Sequence, residues 1–138
     1  MTVQHRVFTA RELIVVNSSG EADLVASKAA IRKIASDSQF HSQYEILMDL
    51  RDVGCDLTVT EIYDLASFMA WPNDELPTRR KIAVVADEKS LDCAEFLELC
   101  ATNRGVNLHA FNDMKQAAQW LDGTSASEGS HLQSRLGE

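Results

Sequence analysis

Asp49, Asp52 and Asp56 follow one another at the end of an apolar run, Ile46-Leu47-Met48, and are the side chains whose type and spacing come closest to a chemistry. Three carboxylates at the carboxyl end of a central strand would lie where open α/β sheets bind ligands. There they could hold a hard divalent cation. The competing reading is a solvated loop in which Asp49 hydrogen-bonds its own turn. A two-component receiver domain would add an acidic pair after its first strand and a lysine after its last. Here those places hold Asn17-Ser18-Ser19 and Phe111-Asn112-Asp113, so the receiver chemistry fails on both counts. Cys55 is the neighbouring nucleophile candidate, and an enzyme would have to work through it or through Asp49 and Asp52. The carboxylates on either side of Cys55 oppose thiolate formation, which weakens that reading.

The other reactive residues are dispersed. Cys93 and Cys100 fall seven apart in a helical pattern, about 10 Å between Cα atoms, beyond the roughly 7 Å that a disulfide can bridge. Both therefore read as small core residues, with Cys55 in an exposed loop. No histidine stands at zinc-ligand spacing from them, and no metal or cofactor is expected. His5 and His109 fall in strands, while His41 and His131 fall in a link and a tail, and none completes a Ser-His-Asp or Cys-His set. No G-x-G-x-x-G or G-x-x-x-x-G-K-[ST] loop is present. Asn17–Gly20 joins a strand to a helix start and could present amides to an anion, but Ser18 as a cap accounts for it as well. Arg79-Arg80-Lys81 has no interleaved aromatics, so it reads as a solvated face or partner contact and not as a nucleic-acid site.

The elements that would carry these residues are legible from periodicity. Val3–Phe8 alternates, Leu13–Val16 is continuously apolar, and the short link between them predicts an antiparallel hairpin. Ser18 and Glu21 have capping-box spacing ahead of a helix with Leu24, Ser27, Ile31 and Ile34 on one face. Tyr44–Leu50 reads as a strand buried on both sides, followed by a loop over Arg51–Leu57. Thr58 and Glu61 then predict a second capped helix with the stripe Ile62, Leu65, Ala66, Met69; Pro72 and Pro77 bracket the link after it. Lys81–Ala86 is another buried strand. Cys93, Phe96, Leu97 and Cys100 mark a third helix ending near Gly105. Val106, Leu108 and Ala110 alternate as a last strand, and Met114–Leu121 forms a last helix after Asn112, its expected cap. The order β-β-α-β-α-β-α-β-α predicts an α/β single domain over residues 1–123. Its sheet is mixed, mostly parallel and five-stranded, with right-handed crossovers. Residues 124–138 are Ser/Gly-rich and read as a flexible tail.

The chain has 138 residues and a formal charge of −8. An acidic surface argues against nucleic acid or an anionic membrane as partner. No apolar run approaches the roughly 20 residues that span a bilayer. Residues 1–15 lack the layout of a signal peptide, so a cytoplasmic location is expected. The charge is uneven: residues 45–64 hold six acids and one base, and residues 87–122 hold seven acids and three bases. That concentration points to where a basic partner would dock.

Several of these segments together resemble the SpoIIAA-like (STAS-like) domains, relatives of the bacterial anti-sigma-factor antagonists. The matching features are Ile14-Val15-Val16 followed by Gly20, the central Ile46-Leu47-Met48-Asp49-Leu50-Arg51-Asp52, and Ile82-Ala83-Val84-Val85. The ending is similar too: Val106–Phe111 followed by Ala117-Ala118-Gln119-Trp120-Leu121. The resemblance covers about residues 3–122 and carries no catalytic fingerprint. It implies a mixed sheet packed with helices and a bacterial, non-enzymatic protein-interaction or regulatory module. The antagonists bind a kinase-type anti-sigma partner and are switched by phosphorylation of a serine at the start of the helix after the central strand. This chain departs there, with Leu57-Thr58-Val59-Thr60 in place of Asp-Ser-Ser-Gly, leaving Thr58 and Thr60 as candidate phosphoacceptors. On this reading Asp52, Asp56, Thr58, Tyr63 and Trp71 contact the protein partner. The superfamily also resembles lipid-binding CRAL-TRIO domains. The alternative is therefore a small-molecule or lipid carrier with a cavity between the second helix and the sheet, lined by Ile62, Met69 and Phe96. The edge strand Val3–Phe8 could also pair across a homodimer.

Overall fold

The computed structural model describes residues 1–37, 44–70 and 80–123. Within them the chain runs β1 (Thr2–Phe8), a single 3-10 turn (Thr9–Arg11), β2 (Leu13–Glu21), α1 (Leu24–Ala35), β3 (Glu45–Gly54), α2 (Val59–Ala70), β4 (Ile82–Val85), α3 (Leu91–Thr102), β5 (Leu108–Phe111) and α4 (Met114–Leu121). The five strands lie in the sheet in chain order, β1 antiparallel to β2 and all other neighbours parallel. The expected α/β class, strand number and direction pattern are all present.

The apolar runs follow from this layering. Successive strand residues point to opposite faces, so a strand covered on both sides must be apolar throughout, as β4 is. Ile14, Ile46, Ile82 and Val84 face one core, closed by Ile34 of α1, Leu65, Ala66 and Met69 of α2, and Ala94, Cys100 and Ala101 of α3. Leu13, Leu47, Ala83 and Val85 face a second, smaller core closed by Ala117, Ala118 and Leu121 of α4. Parallel strands with short helical crossovers place α1, α2 and α3 on the same side of the sheet. α4 turns back beneath the opposite face.

Four local expectations need correction. β2 does not stop at Val16; Asn17–Glu21 continues it, because Thr2–Gln4 of β1 supply backbone partners (Thr2 opposite Ser19) and Ser18 is buried in the sheet. The cap of α1 is accordingly Asp23, whose carboxylate accepts the Ala26 N–H at 3.0 Å, and not Ser18. β3 runs on through Arg51–Gly54 where a loop was expected, with an irregularity opposite Asn17 and Ser19. Asp113, not Asn112, caps α4 through the Lys115 N–H. Gly105 does end α3, in the left-handed conformation (φ 84°) that a side chain would resist. The Pro72–Pro77 link, His41, His131 and the 124–138 tail lie outside the described residues.

Candidate functional site

The parallel strands β2, β3, β4 and β5 all deliver their carboxyl ends, and the helices that follow deliver their N-termini, to one edge of the sheet. Free N–H groups and a partial positive charge gather there. Four of the acids answer them. Thr58 and Glu61 form a complete capping box, Thr58 N–H to Glu61 Oε1 at 2.9 Å and Glu61 N–H to Thr58 Oγ1 at 3.1 Å. Asp87 accepts from the Lys89 and Ser90 amides and the Ser90 hydroxyl. Asp23 and Asp113 cap α1 and α4 in the same way.

Asp49 is engaged elsewhere. Arg51 grips its carboxylate with two side-chain hydrogen bonds, Nε at 2.8 Å and Nη2 at 2.7 Å, and adds its own backbone N–H. Those bonds hold the Asp49 carboxyl below the ordinary carboxylate range, against the opposing effect of partial burial. Asp52 and Asp56 are exposed, and Asp56 makes no hydrogen bond or ion pair among the described residues. Among those residues no three His, Cys, Asp or Glu side chains converge as a metal site.

The cysteine expectations are overturned. Cys55 and Cys93 are joined by a disulfide, their Cα atoms 6.4 Å apart, and Cys100 alone is a buried free thiol. Cys93 and Cys100 both lie in α3, which holds them too far apart to pair. The Cys55–Cys93 pair, separated by 38 positions, has no local signature. Cys93 is half-exposed at the start of α3 and not in the core, and Cys55 is not a free nucleophile.

Two adjoining cavities of about 70 Å³ each lie between α1, α2, α3 and the sheet. Leu50, Leu65 and Leu97 wall both, Cys55 and Cys93 wall the one at the carboxyl edge, and the lining is almost wholly apolar. Ile62 lines one and Met69 the other; Phe96 lines neither, while its neighbour Leu97 lines both.

The outer face of α2 carries exposed apolar surface. Val59 is 66% exposed and Tyr63 53%, and Leu99 on the adjacent α3 is 56% exposed. The Arg104 guanidinium from the end of α3 lies 4.0 Å from the centre of the Tyr63 ring and bonds Ser67 Oγ at 3.0 Å. Lys28 of α1 bridges to Asp64 at 3.0 Å. Asp52, Asp56, Thr58, Thr60 and Tyr63 are all at the surface, on the strand end, the loop and the first turns of α2. Trp71 lies outside the described residues. Phe68, by contrast, is covered by Lys28 and Arg32.

Away from this edge, His5 pairs with Asp37 at 2.7 Å, tying β1 to the end of α1. The His109 ring lies 4.5 Å from the Trp120 ring, tilted 53° to it, on the α4 side. Arg80, read from the sequence as solvated, is buried, and loss of hydration lowers its guanidinium to about 10. No helix among the described residues is long and apolar enough to cross a membrane. No family model, curated protein or solved structure matches the chain.

Proposed function

We propose that the chain is a non-catalytic protein-interaction module of STAS-like type, bacterial and cytoplasmic, whose outer α2 face docks a partner with a basic surface. One observation carries this reading. Val59 and Tyr63 stand open to solvent on one helix, next to Asp56, a carboxylate with no internal task among the described residues. Exposed apolar anchors rimmed by charge are what a docking patch needs. Thr60 is the freer of the two candidate phosphoacceptors, because a phosphoryl group on Thr58 would take the oxygen that caps Glu61 and face that residue's carboxylate.

The test is site-specific photocrosslinking in cells of the source organism, with benzoylphenylalanine in place of Tyr63 or, as control, of Gln4 on β1. The expected result is one discrete adduct from position 63, none from position 4, and loss of the adduct in Asp56→Lys. Equal or absent crosslinking at the two positions overturns the reading.

The cavities favour a second reading, a carrier for a small apolar molecule. A dry apolar cavity of about 150 Å³ holds benzene, and the two cavities here share walls that side-chain rotation could merge. Saturating benzene should raise the melting temperature of the wild type and leave Leu97→Trp, which fills the shared wall, unmoved. An unchanged melting temperature in both retires the carrier.

A further inference from the structure

The Cys55–Cys93 bond ties the loop after β3, which carries Asp56 and leads into the α2 capping box, to the first turn of α3. The segment it closes contains all of α2. Both cysteines are half-exposed and stand in the wall of the cavity at the carboxyl edge, whereas Cys100 is shut in the core. The bond is also chemically lopsided. Cys93 is the third residue after Ser90, the N-cap of α3, so the helix N-terminus stabilises negative charge on its sulfur, opposed in part by Asp92. Cys55 stands between Asp52 and Asp56, where negative charge is disfavoured throughout. Cys93 is therefore the better leaving group and Cys55 the sulfur that an incoming thiolate attacks.

We propose that Cys55 and Cys93 form a reversible dithiol–disulfide pair that sets whether the loop before α2 is held against α3. The reductant is a thiol, RSH. Its thiolate attacks Cys55 Sγ, the sulfur–sulfur bond breaks, and Cys93 departs as a thiolate that takes up a proton. A second thiolate attacks the outer sulfur of the RS–Cys55 mixed disulfide; RSSR leaves and Cys55 takes up the second proton. Two electrons pass from two RSH to the protein, and the reverse sequence with RSSR restores the bond. Reduction frees the loop that frames both the cavity mouth and the approach to Val59 and Tyr63. Its bearing on partner binding rests on the docking surface proposed above.

The experiment equilibrates the full chain in glutathione buffers from reducing to oxidising, quenches in acid, labels thiols with a maleimide mass tag, and maps the labelled peptides. Cys55 and Cys93 are expected to gain label together as one two-electron transition, with Cys100 labelled only after denaturation. Hydrogen exchange on the two end states should be roughly tenfold faster for amides 55–60 in the reduced protein and unchanged in β4. Cys93→Ser should show the fast pattern in every buffer; if it does not fold, Cys55→Ser, altered in the loop alone, serves the same comparison. A pair that stays linked or stays reduced across the whole range overturns the proposal, as does equal exchange in the two states. Faster exchange with the position-63 adduct equal in both states upholds the thiol switch and overturns its bearing on docking, whereas an adduct absent from both states removes the docking surface and leaves the switch standing.

Discussion

The two faces of the sheet are built to different standards. Beneath α4, Leu13, Leu47, Ala83 and Val85 meet Ala117, Ala118 and Leu121, every one of these side chains all but fully buried. Small residues on the helix let it sit close to the strands, which is how high packing density is reached. Beneath α1, α2 and α3 the core is larger, three helices must share it, and two cavities remain. The exposed apolar residues of α2 and α3 and the disulfide belong to that looser side. The face under α4 is closed by small, fully buried side chains, and the face under the three helices keeps unfilled space.

The sharpest way to break this contrast is to hollow out the dense side. Leu47→Ala should cost about 3–5 kcal/mol, because the wall around it has little freedom to collapse; a urea titration measures it. The contrast is sharpened by making one substitution on each face. Ala118→Val overpacks the α4 side and should cost about 1–3 kcal/mol, while Ala94→Val, beside a cavity, should stay within about 1 kcal/mol of the wild type. Equal losses in the two variants would show that the faces pack alike. Thr58→Ala removes half of the capping box and should cost about 1 kcal/mol, with fraying of the first turn of α2 visible in hydrogen exchange.

The smallest effect concerns pH. The carboxyl of Asp49 is held lower in the folded chain than in the unfolded one. Its contribution is therefore complete above the unfolded value, about 3.9, and is lost as pH falls through the folded value. Asp49→Asn should flatten the stability profile slightly below pH about 4 and leave its slope near neutrality unchanged; an identical acid limb in both proteins would show that Arg51 adds nothing.

The layered order was readable because burial on two faces forces apolar runs, and Ile46-Leu47-Met48 and Ile82–Val85 obey that rule. The Thr58–Glu61 box was readable because its partners are three residues apart. What escaped depends on distant neighbours. Asn17-Ser18-Ser19-Gly20 looks like a turn until β1 is laid beside it, and Arg80, just ahead of β4, looks solvated until the fold buries it. The candidate surface was legible in part: Asp56 and Tyr63 are both exposed, yet three of the acids that seemed to announce a partner, Glu61, Asp87 and Asp113, bond helix starts instead. Cys55 and Cys93 meet only because α2 folds the chain back between them.

Glu98 of α3 reaches past the rim of β5 and accepts the Ala110 N–H at 2.6 Å, while the Leu108 N–H bonds the Val106 carbonyl. The amides that β5 would offer to a further strand are thus already taken, whereas no strand among the described residues lies outside β1. Among the described residues β1 is thus the margin whose amides stay open to a further strand. Two chains joining there through β1 would close on themselves as a two-fold pair, with no margin remaining for a third. A side chain that settles a single hydrogen bond on β5 thereby turns sheet-to-sheet pairing toward the opposite margin, β1.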